Sequence, residues 1–352
     1  MKKSLIALAV LAAAGTASAQ SSVTLFGIVD ATVQRLKNDG GASVTRITSS
    51  GYNSTRLGFR GTEDLGGGMS ASFWLETGFQ TDEGSGQATS TNNQGGTTGG
   101  GGLTFNRRST VSLAGGWGEV RVGRDYTPQF WNLTVFDPFG TNGVGTTQLL
   151  SSIITGATAV RASNSIGYFL PGNLGGFYGQ IQHYRGENLS TAANEDDGNG
   201  LGLRVGWANG PINVALAISR TDRAVGGDIK QNNLAGSWNF GMAKVMAQFS
   251  RDEAGAVDGD GWLIGGLVPV GAGEIRLAYS QYETDLGAGA EPRSRKIALG
   301  YVHNLSKRTA LYTTYARVKN SRGAASPVAG GAGNPAINDD SSGFDFGIRH
   351  SF

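Results

Sequence analysis

The last eleven residues of the chain alternate. From Ser342 to Phe352 an aromatic or aliphatic side chain falls on nearly every even position, as at Phe344, Phe346, Ile348 and Phe352, and a small or charged one on the odd positions. A strand with lipid on one face and water on the other needs this period of two. A terminal Phe with its free carboxylate suits a closing strand that pairs with the first. The same alternation runs through 69–80, where Met69, Ala71, Phe73, Leu75, Thr77 and Phe79 interleave with Ser70, Ser72, Trp74, Glu76, Gly78 and Gln80.

Fourteen further segments phase similarly: 23–35, 51–60, 106–115, 117–125, 160–170, 175–184, 200–208, 212–221, 230–239, 242–251, 259–268, 273–283, 294–303 and 308–319. The connectors alternate as well. Short ones fall at 61–68, 115–116, 171–174, 209–211, 240–241, 269–272 and 304–307, and longer polar, glycine-rich ones at 36–50, 81–105, 126–159, 185–199, 222–229, 252–258, 284–293 and 320–340. Bacterial outer-membrane barrels keep short turns on the periplasmic side and long loops outside. An unpaired N–H or C=O in hydrocarbon costs several kcal/mol, so such a sheet has to close. About ten residues tilted near 45° cross the apolar layer. The pattern therefore predicts an all-β fold, a sixteen-stranded antiparallel transmembrane β-barrel, wide enough at that strand number to hold an aqueous channel.

Composition adds the compartment. Lys2 and Lys3, an apolar run over 5–14 and Ala17-Ser18-Ala19 before Gln20 read as a cleavable export signal over 1–19, leaving 20–352 as a single barrel. The run is too short to span a bilayer as a helix. Without the signal, basic and acidic residues balance at 27 each, so nucleic acid binding, which wants a clustered basic surplus, gets no support. The chain has no Cys, which excludes disulfides and thiolate metal sites. Its 58 glycines cluster between the alternating segments, as turn and loop residues do; Gly95-Gly96 and 99–102 read as one flexible loop.

Five stretches carry a family likeness: Ser22-Val23-Thr24-Leu25-Phe26-Gly27, Arg56-Leu57-Gly58-Phe59-Arg60-Gly61-Thr62-Glu63-Asp64-Leu65-Gly66, Arg107-Arg108-Ser109-Thr110-Val111-Ser112-Leu113, Tyr301-Val302-His303-Asn304-Leu305-Ser306-Lys307-Arg308-Thr309-Ala310-Leu311-Tyr312, and the terminal Phe352. In this order they resemble the general trimeric porins of Gram-negative outer membranes, above all the beta-proteobacterial group with its anion-selective members. The resemblance implies a homotrimer in which each monomer has its own pore. Its partners would be the lipid and lipopolysaccharide of the outer membrane, with small anions and hydrophilic solutes passing through; no cofactor, metal or nucleic acid is implied. It also implies that the third outer loop folds inward, and here that link is 126–159. The stretch from Phe130 to Gly140 is apolar for a rim segment, with Trp131 and Phe136 read as anchors that seat it rather than as a sugar slide.

The resemblance places arginines on the wall opposite that loop, and by motif position these are Arg56, one of Arg107 and Arg108, and Arg161. Phase puts Arg56 and Arg60 on the wet face, because Leu57 and Phe59 take the other, and Arg161 inward if Ile166 and Tyr168 face lipid. Val111 and Leu113 outward put Arg108 inward and Arg107 outward, unless a bulge shifts the register. Each arginine also has a bland reading as a solvated wall residue, as do Arg121 and Arg124. Asp137 is the sole acid within 126–159, either an eyelet charge or the former of an Asp-Pro turn. A net-positive constriction, passive diffusion and modest anion preference are the expected outcome.

Two other functions compete. A hydrolase would need a base placed beside a nucleophile, and the histidines are only His183, His303 and His350. A substrate-specific sugar channel would want a ladder of inward aromatics, whereas the inward phase is mostly Ser, Thr, Gly, Asn, Gln and charged residues. The acids of 194–199 and 258–260 read as solvated loop residues rather than calcium ligands, since no complete ligand loop is present.

Overall fold

The computed structural model describes residues 22–94, 102–150, 156–287, 289 and 291–352; the stretch expected to be an export signal, most of the glycine-rich stretch near 99 and part of the third link lie outside them. Seventeen strands occur among the described residues. They are β1 Ser22–Asn38, β2 Ser43–Ser49, β3 Arg56–Gly66, β4 Met69–Gly78, β5 Arg108–Gly115, β6 Gly118–Tyr126, β7 Arg161–Phe169, β8 Phe177–Tyr184, β9 Gly200–Asn209, β10 Ile212–Thr221, β11 Ile229–Asn239, β12 Lys244–Ala254, β13 Val257–Val270, β14 Gly273–Asp285, β15 Arg293–Asn304, β16 Thr309–Ser321 and β17 Ser341–Ser351. Among the described residues one helix, α1, spans Pro128–Val135. Every neighbouring pair is antiparallel, and β17 returns to β1 over Ile28↔Ser351 to Asn38↔Ser341, so the sheet closes. The final Phe352 exchanges backbone hydrogen bonds with Gly27 at 3.1 Å.

Sixteen staves make the barrel, because β2 and β3 are one stave with an interruption. β2 pairs with the outer half of β1 and β3 with its other half. Asp30 on β1 explains the break: its carboxylate accepts the backbone N–H groups of Gly51, Tyr52 and Asn53 at 3.2, 3.0 and 2.6 Å. Drawn toward that buried carboxylate, residues 50–55 leave the ladder. The expectation of a loop over 36–50 is corrected accordingly, since most of it is strand. The links at 61–68 and 252–258 are also shorter than expected: β3 runs on to Gly66, and Ala254 pairs directly with Val257. Polar residues in both stretches still make ladder bonds, which their composition does not reveal.

The period of two appears as burial. On β1, Val33 is 48% exposed to the outside, while Asp30, Thr32 and Gln34 are buried within. The described residues hold their largest apolar cluster inside the barrel, where the third loop meets the wall. It joins Leu133, Phe139, Val144 and Leu149 of the loop to Leu263, Ala278, Ala298, Ala316 and Val318 of the wall. The register makes room for this contact: Gly265, Ala278, Ala298, Ala316 and Gly343 stand opposite one another across five strands. A Cβ on Gly265 would come within 2.7 Å of Pro138, and one on Gly343 within 2.7 Å of Val144. A row of small residues is thus the bed of the loop.

Candidate pore constriction

Backbone groups of the loop and the side chain of Asn132 hold it against the wall. Pro128 at the first turn of α1 suits a position whose N–H has no helical partner. Asn233 Nδ2 donates to Gln129 O at 3.1 Å, Asn132 Nδ2 to Ala215 O at 3.1 Å and Gln248 Nε2 to Leu133 O at 3.1 Å. Arg204 Nε donates to Asn132 Oδ1 at 2.5 Å. Farther along, Lys296 Nζ donates to Thr146 O at 2.8 Å and Val328 O at 2.9 Å, and Val144 N donates to Asp345 Oδ2 at 2.8 Å. Lys296 is 1% exposed and bridges the third loop to the last one. Buried polar groups of this kind are costly unless satisfied, which fixes the loop's position.

Asp137 lies in this covered region. It is 4% exposed, and its carboxylate accepts the N–H groups of Phe139, Thr141 and Thr147 at 2.9, 3.0 and 3.2 Å. Burial pushes its carboxyl up, against the pull of those amides and of Lys296. Those hydrogen bonds are those of a turn former.

The arginines gather on the uncovered wall. Arg107 Nε meets Glu76 Oε1 at 2.6 Å, and Arg56 Nη1 stands 3.9 Å from the same oxygen. Arg107 Nη2 also donates to Tyr126 Oη at 2.7 Å, and Arg161 Nη2 to that oxygen at 3.0 Å, its guanidinium 4.5 Å from the ring centre. The phase of β5 put Arg107 outward. The structure turns it inward instead, because Arg107 precedes the strand and its side chain swings to Glu76 from the strand's end. Arg108 faces inward too, 4.6 Å from the Trp74 ring centre and 3.7 Å from Asp125. Both arginines therefore share the lumen. Arg161 follows a register shift: β7 carries an extra residue against β6 between Ser165 and Ala162, with Asn164 at φ 52°.

Arg60 sits nearer the short turns, its guanidinium 5.3 Å from Phe26 and 5.2 Å from Trp74. Arg121 pairs with Asp125 at 2.6 Å and Glu119 at 3.0 Å. Arg124 points away from the cluster, to Asn106 O at 2.6 Å and Ser163 Oγ at 2.8 Å. Residues 50–55 bring in groups the pattern did not single out. Tyr52 receives Arg276 Nη2 on its hydroxyl at 3.0 Å, with Arg276 and Arg349 stacked 4.4 and 5.2 Å from its ring centre. A cavity of about 320 Å³ lies here, lined by Tyr52, Arg56, Tyr126 and Arg276 on the wall and by Thr134 and Asp137 to Asn142 on the loop. Its loop side presents hydroxyls, amides and carbonyls, together with Asp137, 4% exposed, whose carboxylate is engaged by loop amides.

Sequence reasoning missed the counter-charge. Glu76, Glu119, Asp125 and Glu274 all lie on the wall rather than the loop, each bonded to an arginine. Glu76 stood in the wet phase of 69–80, which was the available signal; its partner at Arg107 was hidden by the strand end.

With this geometry, comparison with known proteins is decisive. The family model described as Gram-negative porin matches residues 5–323. This chain is a Gram-negative porin. Outer membrane porin protein 32 of Delftia acidovorans is 40% identical over 369 aligned residues spanning 100% of both chains. A second outer membrane porin protein, from Bordetella pertussis, is 27% identical, over 91% of this chain and 95% of the relative. Among solved structures, an anion-selective porin from Comamonas acidovorans superposes with a TM-score of 0.80 at 36% identity, covering 94% of this chain and all of that one. The porin therefore belongs to the outer membrane, and its relatives are channels rather than enzymes.

Proposed function

We propose that this porin is a passive, anion-preferring channel whose constriction is formed by Arg56, Arg107 and Arg161 facing the neutral edge of the third loop. The observation that carries this reading is the imbalance at the Tyr126 hydroxyl. Three guanidinium groups converge there and on Glu76, the one carboxylate bonded within the group. Among the described residues Arg161 is hydrogen-bonded only to a phenol, and its buried Nε has no hydrogen-bond partner. A guanidinium with no carboxylate bonded to it leaves its positive charge to act on a passing anion. Arg108 and Arg60 extend the positive wall toward the short turns, while Asp137, though it borders the cavity, is 4% exposed and its carboxylate is held by three loop amides.

One charge seen at about 8 Å through water is worth roughly 0.5 kcal/mol. Three cations less one carboxylate then give about 1 kcal/mol, or roughly fivefold in relative occupancy. Without Glu76 the preference would approach tenfold. We further propose that residues 1–19 are a cleaved export signal, that three copies assemble, and that lipid and lipopolysaccharide surround them.

Reversal potential across a salt gradient in a planar bilayer tests the reading. The expected sign is anionic, and replacing Arg56, Arg107 and Arg161 together with Gln is expected to cut the preference by about tenfold. A cation-selective wild type, or a triple variant that keeps the wild-type potential, would refute it.

A further inference from the structure

The eyelet contains a reactive pair that the passage of ions does not use. Asn142 lines the cavity together with Ser54 and Arg56, and Gly143 follows it in the chain. We infer that Asn142 is a site of spontaneous deamidation, a slow modification that puts a carboxylate on the loop edge and lowers the anion preference of the pore.

The surroundings favour reaction here. Ser54 Oγ donates to Asn142 Oδ1 at 2.8 Å, which draws electrons from the carboxamide carbon. Asn142 Nδ2 donates to Gly140 O at 2.6 Å, which fixes the end of the carboxamide that faces Ser54. Gly143 N has no hydrogen-bond partner among the described residues, whereas Val144 N is held by Asp345 at 2.8 Å. A glycine nitrogen has no adjoining Cβ to obstruct its attack. Packing imposes that glycine, because its φ is 60° and a Cβ there would fall 2.2 Å from Gly51 O.

In the first step Gly143 N attacks Asn142 Cγ, the Cγ–Nδ2 bond breaks, and the nitrogen leaves as ammonia with the proton that Gly143 N gives up. A five-membered imide remains. Water opens it at either carbonyl, yielding Asp or isoaspartate, and both products carry a carboxylate. Asn142 is partly exposed, so the new charge stands in the cavity with Arg56 and Arg276. One negative charge seen at about 8 Å through water lowers the anion preference about twofold.

The two other Asn-Gly pairs of the chain supply the comparison. Asn199 is buried, its Oδ1 accepts Gly186 N at 3.0 Å, and Gly200 begins β9. Asn209 and Gly210 lie in an exposed turn at the short-turn end of β9, away from the eyelet.

The inference rests on the anion-preferring reading, and its test separates the two. Purified porin is held in mildly alkaline buffer until Asn209 has converted, with peptide mass and reversal potential followed together. Asn142 is expected to convert over the same period, the preference falling about twofold toward that of a freshly prepared Asn142→Asp variant. The Asn142→Ser variant should show no drift. Ser54→Ala should slow conversion at Asn142 and leave Asn209 unaffected.

Asn142 still intact when Asn209 has converted overturns the inference. So does conversion with an unchanged potential, or an Asn142→Ser variant that drifts like the wild type. A wild-type rate in Ser54→Ala overturns the part given to Ser54. A fresh wild type without anion preference removes the reading beneath the inference instead, and peptide mass at Asn142 still decides whether the modification occurs.

Discussion

Two arcs of the inner wall treat charge in opposite ways. From β3 to β7 the wall is bare, and Arg56, Arg108 and Arg161 lie beside aromatic rings or single carboxylates at the edge of open water. From β9 to β17 it is covered by the third loop, and Lys296, Asp137 and Asp345 are sealed between loop and wall, bonded chiefly to backbone groups. On the bare arc, dielectric screening makes each charge worth a fraction of a kcal/mol to a passing ion. On the covered arc the same kinds of group act on the protein alone, where leaving one unmatched is expensive. Selectivity and loop position therefore rest on separate sets of residues, and substitutions should separate them.

The largest effect belongs to the covered arc. Lys296→Met strips the hydrogen bonds from Thr146 O and Val328 O and leaves Asp137 and Asp345 without their nearby cation. A loss of about 3 kcal/mol in barrel stability is expected, read as a lowered unfolding temperature in detergent. Single-channel records should become noisier as the loop loosens, with the sign of the reversal potential unchanged. A variant as stable as wild type would mean that the bridge does not hold the loop.

Next comes the bed of small residues. Ala298→Phe places a ring in the cluster that Phe139 of the loop joins, and overfilling such a site costs about 1–3 kcal/mol. The displaced loop should widen the pore, so single-channel conductance should rise. Unchanged conductance would show that the loop finds other room.

This bed shows what the sequence could and could not disclose. Alternation made the sixteen staves legible, because lipid on one side and water on the other impose it on every strand, and it placed Arg56, Arg60 and Arg108 on the wet face. Gly265, Ala278, Ala298, Ala316 and Gly343 were equally visible as letters, yet they form a row only once the register of five strands is known. Arg107 was misphased because alternation carries no information beyond a strand's end. The split of the second stave depends on Asp30, some twenty residues away in the chain, and no local pattern announces a side chain that captures a distant turn. Tyr52 and Arg276 went unnoticed for the same reason.

Asp137 supplies a smaller effect that sharpens the division. Asp137→Asn keeps the shape but weakens three charge-assisted bonds to the amides of Phe139, Thr141 and Thr147. Stability should fall by about 1 kcal/mol. The reversal potential should stay close to its wild-type value, since the carboxylate is buried and turned to the loop amides. A clear shift toward anions would instead make Asp137 an eyelet charge.

The smallest effect lies on the bare arc and runs in the opposite sense. Glu76 offsets Arg56 and Arg107, so Glu76→Gln unmasks one positive charge at the constriction. At roughly 0.5 kcal/mol this should raise the anion preference about twofold. The gain should shrink between 0.1 and 1 M salt, as the screening length falls from about 10 to about 3 Å. The salt dependence is what separates a field effect from a change of shape, since a pore that had merely widened would alter conductance at both concentrations and leave the preference flat. A fall in anion preference would mean that Glu76 acts mainly by holding Arg56 and Arg107 in place, so that on this arc, too, the carboxylate's work is structural.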